Sequence, residues 1–201
     1  MEYWERRKSP LSGAIWREFE EPGSWLLAIL AMTIAVGRDD IFSPSFYTSG
    51  FFIGLLIGFL AHETAHRQVA RLYGLSATFV AYGPGLLLTL ASSLLPVIIL
   101  APGYVRTISY GYGFSERGVL RSVAAGPATN IVIALAGLLL AAVSTNKGFF
   151  YGIATINLWL AFFNLLPFPP LDGEKIFRLD RKTWVFMILT VLALYAARSF
   201  I

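Results

Sequence analysis

The chain has 201 residues, 56% of them hydrophobic and only 14% charged, with a mean hydropathy of +0.65. Soluble domains carry roughly 25% charged residues, so this composition excludes an ordinary water-soluble globule and points to one integral membrane domain. The net charge of +4 suits basic loops beside an anionic leaflet and calls for no nucleic-acid partner, and the absence of cysteine removes disulfides and thiolate metal ligands.

Residues 1–23 mix both charge signs with Trp4, Trp16 and Phe19. They do not resemble a cleaved signal peptide, and part of them can lie along a membrane interface. Trp25 to Gly37 is a short apolar run, about 20 Å as a helix, ended by Arg38-Asp39-Asp40. Phe46 to Tyr73 reads as one long helix closed by Gly74. Its first part is purely apolar and its last two turns carry Arg67, Gln68 and Arg71, so its two histidines fall below a membrane surface but near one end. Residues 75–83 alternate loosely, as a short strand does. Gly85 to Ala101 is apolar but holds Ser92, Ser93 and Pro96. Tyr104 to Gly113 alternates again, with residues typical of a strand. Ser115-Glu116-Arg117 opens a helix that runs to about Val143, and Phe149 to Leu166 is a further span. A basic stretch from Lys175 to Lys182 precedes a last apolar helix from about Thr183 to Phe200. There is no internal repeat and no low-complexity segment.

The fold class expected is an all-α polytopic membrane protein with a few short β-strands. Its span count turns on Gly85 to Ala101. As a sixth span it divides the Lys and Arg residues evenly, and the positive-inside rule decides nothing. As a re-entrant hairpin it leaves only Arg38, Lys147 and Arg198 on one side and the other thirteen of the sixteen on the opposite side. That asymmetry is what cytoplasmic loops show. It favours five spans plus the hairpin, the amino terminus in the cytoplasm and the carboxyl terminus outside.

The chain contains two histidines, spaced as His62-Glu63-Thr64-Ala65-His66. Residues four apart share a helix face, so both imidazoles can reach one metal ion, and Glu63 projects beside them, placed to take a proton from metal-bound water. Catalytic zinc commonly takes three protein ligands and leaves a position for water. With no third histidine and no cysteine, the third ligand must be a carboxylate. Asp172 is the best candidate: it follows Pro167, Pro169 and Pro170, which can fix its place at the end of a span, and Gly173 allows a tight turn. The alternative is an ordinary Asp-Gly turn at the interface. Asn130 and Asn164 stand out within apolar helices. Taken singly, each reads first as interhelical glue, whereas in a hydrolase an amide donor near the metal can hold substrate backbone or an oxyanion.

Together these residues resemble the site-2 protease family of intramembrane zinc metalloproteases. Three signatures match in order: His62 to His66, then Gly126-Pro127-Ala128-Thr129-Asn130, then Asn164 through Asp172-Gly173. The resemblance covers about residues 46–175 of a single protease domain, with 1–45 and 176–201 as accessory helices. It implies that His62, His66 and Asp172 bind Zn2+, that Glu63 activates water, and that Asn130 and Asn164 help place a transmembrane protein substrate. It also implies an active site below the cytoplasmic face of a prokaryotic cell membrane. In the family the first and third core helices run in one direction and the second is opposed, which agrees with a re-entrant Gly85 to Ala101. Two departures stand out. Glu174 occupies a place where many members have a second glycine, and the chain has no room for the PDZ or CBS domains of some relatives. The activity implied is regulated intramembrane proteolysis, with the strands near Ser76 to Tyr82 and Tyr104 to Gly113 able to hold an unwound substrate by edge pairing. A zinc transporter and a catalytically dead membrane chaperone are the competing classes. A transporter has no use for the general base Glu63, and the chaperone reading must explain why every catalytic position is filled.

Overall fold

A computed structural model describes residues 21–108 and 115–200. The expected interfacial stretch before residue 21, and the second half of the strand expected to reach Gly113, lie outside the described residues. The structure is mostly helical, with one two-stranded sheet, and the chain divides into two compact units.

One unit comprises the described residues 21–39 and 79–104. Its first helix, α1 (Glu21–Gly37), begins four residues earlier than the apolar run itself. Ala28, Ala31, Met32 and Ala35 are buried on it, at the 3–4 spacing of one helical face. The helix α4 (Gly83–Ser92) packs against α1. Ten residues rise only about 15 Å, half of a bilayer's hydrocarbon core, and beyond Ser92 the chain turns back. Ser92 Oγ accepts from Ile99 N at 2.9 Å, Thr89 Oγ1 accepts from Ala101 N at 3.1 Å, and Tyr82 N donates to Pro102 O at 3.0 Å. Residues 83–101 therefore leave and return at one place. They form a hairpin, and the two buried hydroxyls supply the partners that the irregular return limb lacks.

The other unit comprises residues 40–78 and 105–200. The long helix expected from Phe46 is broken: α2 (Pro44–Thr48) is separate, and Ser49 caps α3 (Gly50–Leu72) by accepting from Phe52 N at 3.1 Å. The competing signal was local, a serine before glycine offering an N-cap. At the far end Gly74 has φ +77°, the left-handed conformation that stops a helix cheaply only with glycine. Strands β1 (Ser76–Ala81) and β2 (Gly103–Ile108) pair with each other.

Three helices make the centre of this unit: α3, α5 (Glu116–Val143) and α6 (Lys147–Asn164), each packed on the other two. Ser115 caps α5, as its sequence predicted. Pro127 lies inside α5. The backbones of α3 and α6 touch. A Cβ on Gly54 would sit 2.7 Å from Ile153 Cα, and one on Gly152 2.7 Å from Phe51 N. Close approach through small residues is how helices associate where lipid removes the hydrophobic incentive. After a loop over the prolines, α7 (Asp172–Leu179) forms, overlapping the stretch from Lys175 to Lys182 read only as basic. Asp180 then caps α8 (Arg181–Ala197), starting it two residues before Thr183. Helix α8 closes on a cluster of Ala134, Leu158, Ala161, Leu165, Ile176, Met187 and Val191.

Among the described residues, two helices are long and apolar enough to cross a membrane, Glu116–Val143 and Arg181–Phe200. Only 11% of the apolar window in the second is buried. A soluble core helix would hide that surface, and Phe186, Leu189 and Leu192 here present it outward.

Candidate metal centre

Helix geometry alone places His62 and His66 on one face of α3, one turn apart, and both are buried. Their Nε2 atoms lie 3.0 Å from each other. Asp172, at the start of α7, brings Oδ2 to 3.3 Å from His62 Nε2 and 3.0 Å from His66 Nε2. These are the three residues expected from the sequence, and among the described residues they form the only cluster able to hold a metal ion, with all ligand atoms within 4.8 Å. Tetrahedral zinc with bonds near 2.1 Å would separate its ligands by about 3.4 Å.

The partners on the far side of each imidazole decide what the near side can do. His66 Nδ1 is 2.7 Å from the carbonyl of Ser122 on α5. A carbonyl only accepts, so Nδ1 carries a proton, and in the neutral imidazole Nε2 keeps its lone pair. Ser122 Oγ returns the contact by donating to His66 O at 3.1 Å. His62 Nδ1 lies 2.6 Å from Asn130 Oδ1, with the same consequence. With both imidazoles neutral, two unprotonated nitrogens and a carboxylate oxygen face one another with no hydrogen between them. Three acceptors at 3 Å repel unless a cation sits among them, so the donor set fits a metal.

The space is also kept clear from below. A Cβ on Gly126 would lie 2.3 Å from His66 Nε2 and 2.6 Å from His62 Nε2, so α5 presents bare backbone there. Asp172 is held similarly: a Cβ on Gly173 would come within 2.1 Å of Leu165 O. Gly173 was expected to permit a tight turn, but its φ is not positive. Its role is close packing of α7 against the end of α6. Lys175 Nζ stands 3.8 Å from Asp172 Oδ1, the oxygen turned away from the histidines.

Glu63 is buried beside the pair, and its Oε2 has no hydrogen-bond partner among the described residues. A buried carboxylate oxygen without a partner is costly to keep. Asn130 is fully buried. Its Nδ2 donates to Gly58 O at 3.2 Å and to Asn157 Oδ1 at 2.9 Å, so every polar position on its amide is engaged within the protein. Asn164 donates to Leu160 O of its own helix at 3.0 Å and makes no hydrogen bond to the three ligands. Glu174 pairs with Arg178 one turn on, away from the cluster. Sequence reasoning missed Ser122, Asn157 and Lys175. Asn157 was legible as a third amide inside an apolar helix, and Lys175 as a cation three residues beyond Asp172; Ser122 acts through its backbone, which no side-chain pattern reveals.

Two imidazoles, one carboxylate and an adjacent free glutamate are the donor set of a metal-dependent hydrolase, here carried by helices of membrane character. The comparisons with known proteins agree. The model of peptidase family M50 matches residues 141–186, the stretch holding Asn164 and Asp172. A candidate zinc metalloprotease of Methanocaldococcus jannaschii is 35% identical over 174 residues, covering 82% of this chain and 90% of its own length. Another, from Bacillus subtilis, is 35% identical over 146 residues, 62% of this chain and 65% of its own. A third, from Mycobacterium tuberculosis, is 32% identical over 139 residues, 65% of this chain and 30% of its own. No solved structure gives a significant match. The chain belongs to peptidase family M50, the membrane-embedded site-2 protease family of zinc metalloproteases.

Proposed function

We propose that the chain is an intramembrane endopeptidase that hydrolyses peptide bonds in or near the transmembrane segments of other membrane proteins, with Zn2+ held by His62, His66 and Asp172. The observation that carries this reading is the convergence of those three ligand atoms beside the unpaired Glu63. Zinc, when bound, supplies Lewis acidity toward a carbonyl oxygen and acidifies water.

The chain's own groups do the rest. Glu63 accepts the proton of the attacking water and passes it to the departing amine nitrogen as the C–N bond breaks. Asn130 holds His62 with its metal-facing nitrogen free, and Ser122 O does so for His66. Lys175 balances the outer oxygen of Asp172, leaving the inner one for the metal. Asn164, at the end of α6, has its Oδ1 available to accept from substrate backbone. A substrate helix hides its carbonyls in its own hydrogen bonds and must unwind before attack. The outer edges of the β1–β2 pair offer backbone partners to the released strand.

In this reading the bilayer is crossed five times, the 83–101 hairpin re-enters, and the active site faces the cytoplasm of a prokaryotic cell. The test of the chemistry uses purified wild type and Glu63→Gln in detergent, measured for bound zinc and for cleavage of a panel of single-span substrates. Zinc in both and cleavage by wild type alone is expected. Equal cleavage by the two proteins, or zinc in neither, overturns the reading. Topology is tested by single cysteines introduced into this cysteine-free chain at positions 117, 147 and 182. Labelling from outside an intact cell should reach only position 147.

A further inference from the structure

We infer that Asn157, in the middle of α6, is a positioning residue that selects the tautomer of His62 by fixing which way the Asn130 amide faces. The inference rests on the reading of His62 as a zinc ligand. Asn157 is completely buried. Its Nδ2 lies 3.0 Å from Gly54 O and 2.9 Å from Ile153 O. Both are carbonyls, which only accept, so this end of the side chain must be the NH2 and the other must be the oxygen.

That settled oxygen is the acceptor 2.9 Å from Asn130. Only the NH2 of Asn130 can face it. The same NH2 reaches Gly58 O at 3.2 Å, again a carbonyl. Asn130 Oδ1 is thereby turned toward His62 Nδ1, 2.6 Å away, and the imidazole proton must sit on Nδ1. Reversing Asn130 would set its oxygen against two other acceptors and point its NH2 at His62. The proton would then move to Nε2 and cap the atom that faces His66 and Asp172.

The chain of constraint therefore runs from two backbone carbonyls, through two asparagines, to one metal-facing lone pair. Gly58 is part of the device: a Cβ there would lie 2.3 Å from Asn157 Oδ1, so the small residue lets the amide reach its place. His66 has a different support, a backbone carbonyl that cannot be reversed. Asn157 should accordingly matter to one histidine and not to the other.

Because the sequence holds two histidines, nitrogen NMR of histidine-labelled protein reads both tautomers directly. The 201-residue chain in micelles would be compared as wild type, Asn157→Leu, Asn157→Asp and Gly58→Ala, metal-free and titrated with zinc. In wild type both residues should show protonated Nδ1, with both Nε2 signals moving on zinc addition. In Asn157→Leu, and in Gly58→Ala, His62 should lose its single-tautomer signature while His66 keeps its own, and zinc affinity should fall about tenfold, as for loss of a partner behind a metal ligand. Asn157→Asp, which as a neutral acid still accepts from Asn130 and donates to a carbonyl, should restore the His62 signature. An unchanged His62 signal in Asn157→Leu would overturn the inference, as would equal change at both histidines, which a general loss of packing predicts. If wild type ignores zinc altogether, the metalloprotease reading fails, and the metal-free spectra still decide the role of Asn157.

Discussion

The two sides of α6 are held by different physics. Toward α3 and α5 the contacts are bare backbone and buried amides: Gly54 against Ile153, and Asn157 bonded to Asn130 and to Gly54 O. Toward α8 they are Leu158, Ala161 and Leu165 packed on Met187 and Val191, with one hydrogen bond from Trp184 Nε1 to Leu165 O at 2.7 Å. The first kind of contact is directional and tolerates no added atom. The second is apolar and accommodating, because many side chains of similar volume can fill it. His62 and His66 sit on the directional side, on α3, whereas Asp172 is on α7, whose Ile176 joins the apolar cluster with α8.

The comparison can be broken most severely at Gly126. Alanine there puts a methyl group where the two imidazole nitrogens converge. Zinc affinity should fall by roughly a hundredfold or more and cleavage should vanish, since the damage is at least that of losing a ligand's support. Chelator competition measures it, and circular dichroism should show the helices intact. Wild-type zinc affinity in Gly126→Ala would mean that the pocket floor is elsewhere. Gly173→Ala is next. Its Cβ meets the Leu165 carbonyl and must push Asp172 away from the histidines, which should weaken zinc about ten- to a hundredfold.

Gly54→Ala tests the packing rather than the ligands. Forcing α3 from α6 should cost about 1–3 kcal/mol in reversible unfolding from detergent, with a smaller loss of zinc affinity than at Gly173. On the accommodating side, Trp184→Phe removes one hydrogen bond and keeps most of the ring contacts. It should cost about 1 kcal/mol and leave zinc affinity within about twofold of wild type. A large zinc effect from Trp184→Phe would show that α8 also tunes the site, and the contrast between the two sides would fall.

Much of this could be read from the chain. The four-residue spacing of His62 and His66 defines a common helix face whatever surrounds it, and elimination among the acids led to Asp172 because histidine and cysteine are so scarce. Gly74 ended α3 where its left-handed conformation was expected. Other elements were hidden. The break at Ser49 turned on a capping bond inside a run that hydropathy alone joins together. The return of residues 93–101 onto α4 depends on Ser92 and Thr89 reaching distant amides, and the charge balance could favour the hairpin without showing those bonds. Asn157 was passed over because, unlike Asn130 after Gly126-Pro127 and Asn164 before the prolines, it has no neighbouring signature.

The sequence by itself determined the class of chemistry: two imidazoles and a glutamate on one turn, in a chain too apolar for water, leave few uses other than a metal at membrane depth. Only the tertiary structure decided how those groups are made ready. Which nitrogen of each imidazole carries the proton depends on partners 56 and 68 residues away, Ser122 O and Asn130 Oδ1. Whether the ligands can converge depends on backbone passing where Gly126 and Gly173 leave room. Hydrogen-bond direction and excluded volume are properties of atoms brought together by folding, and local residue patterns do not encode them.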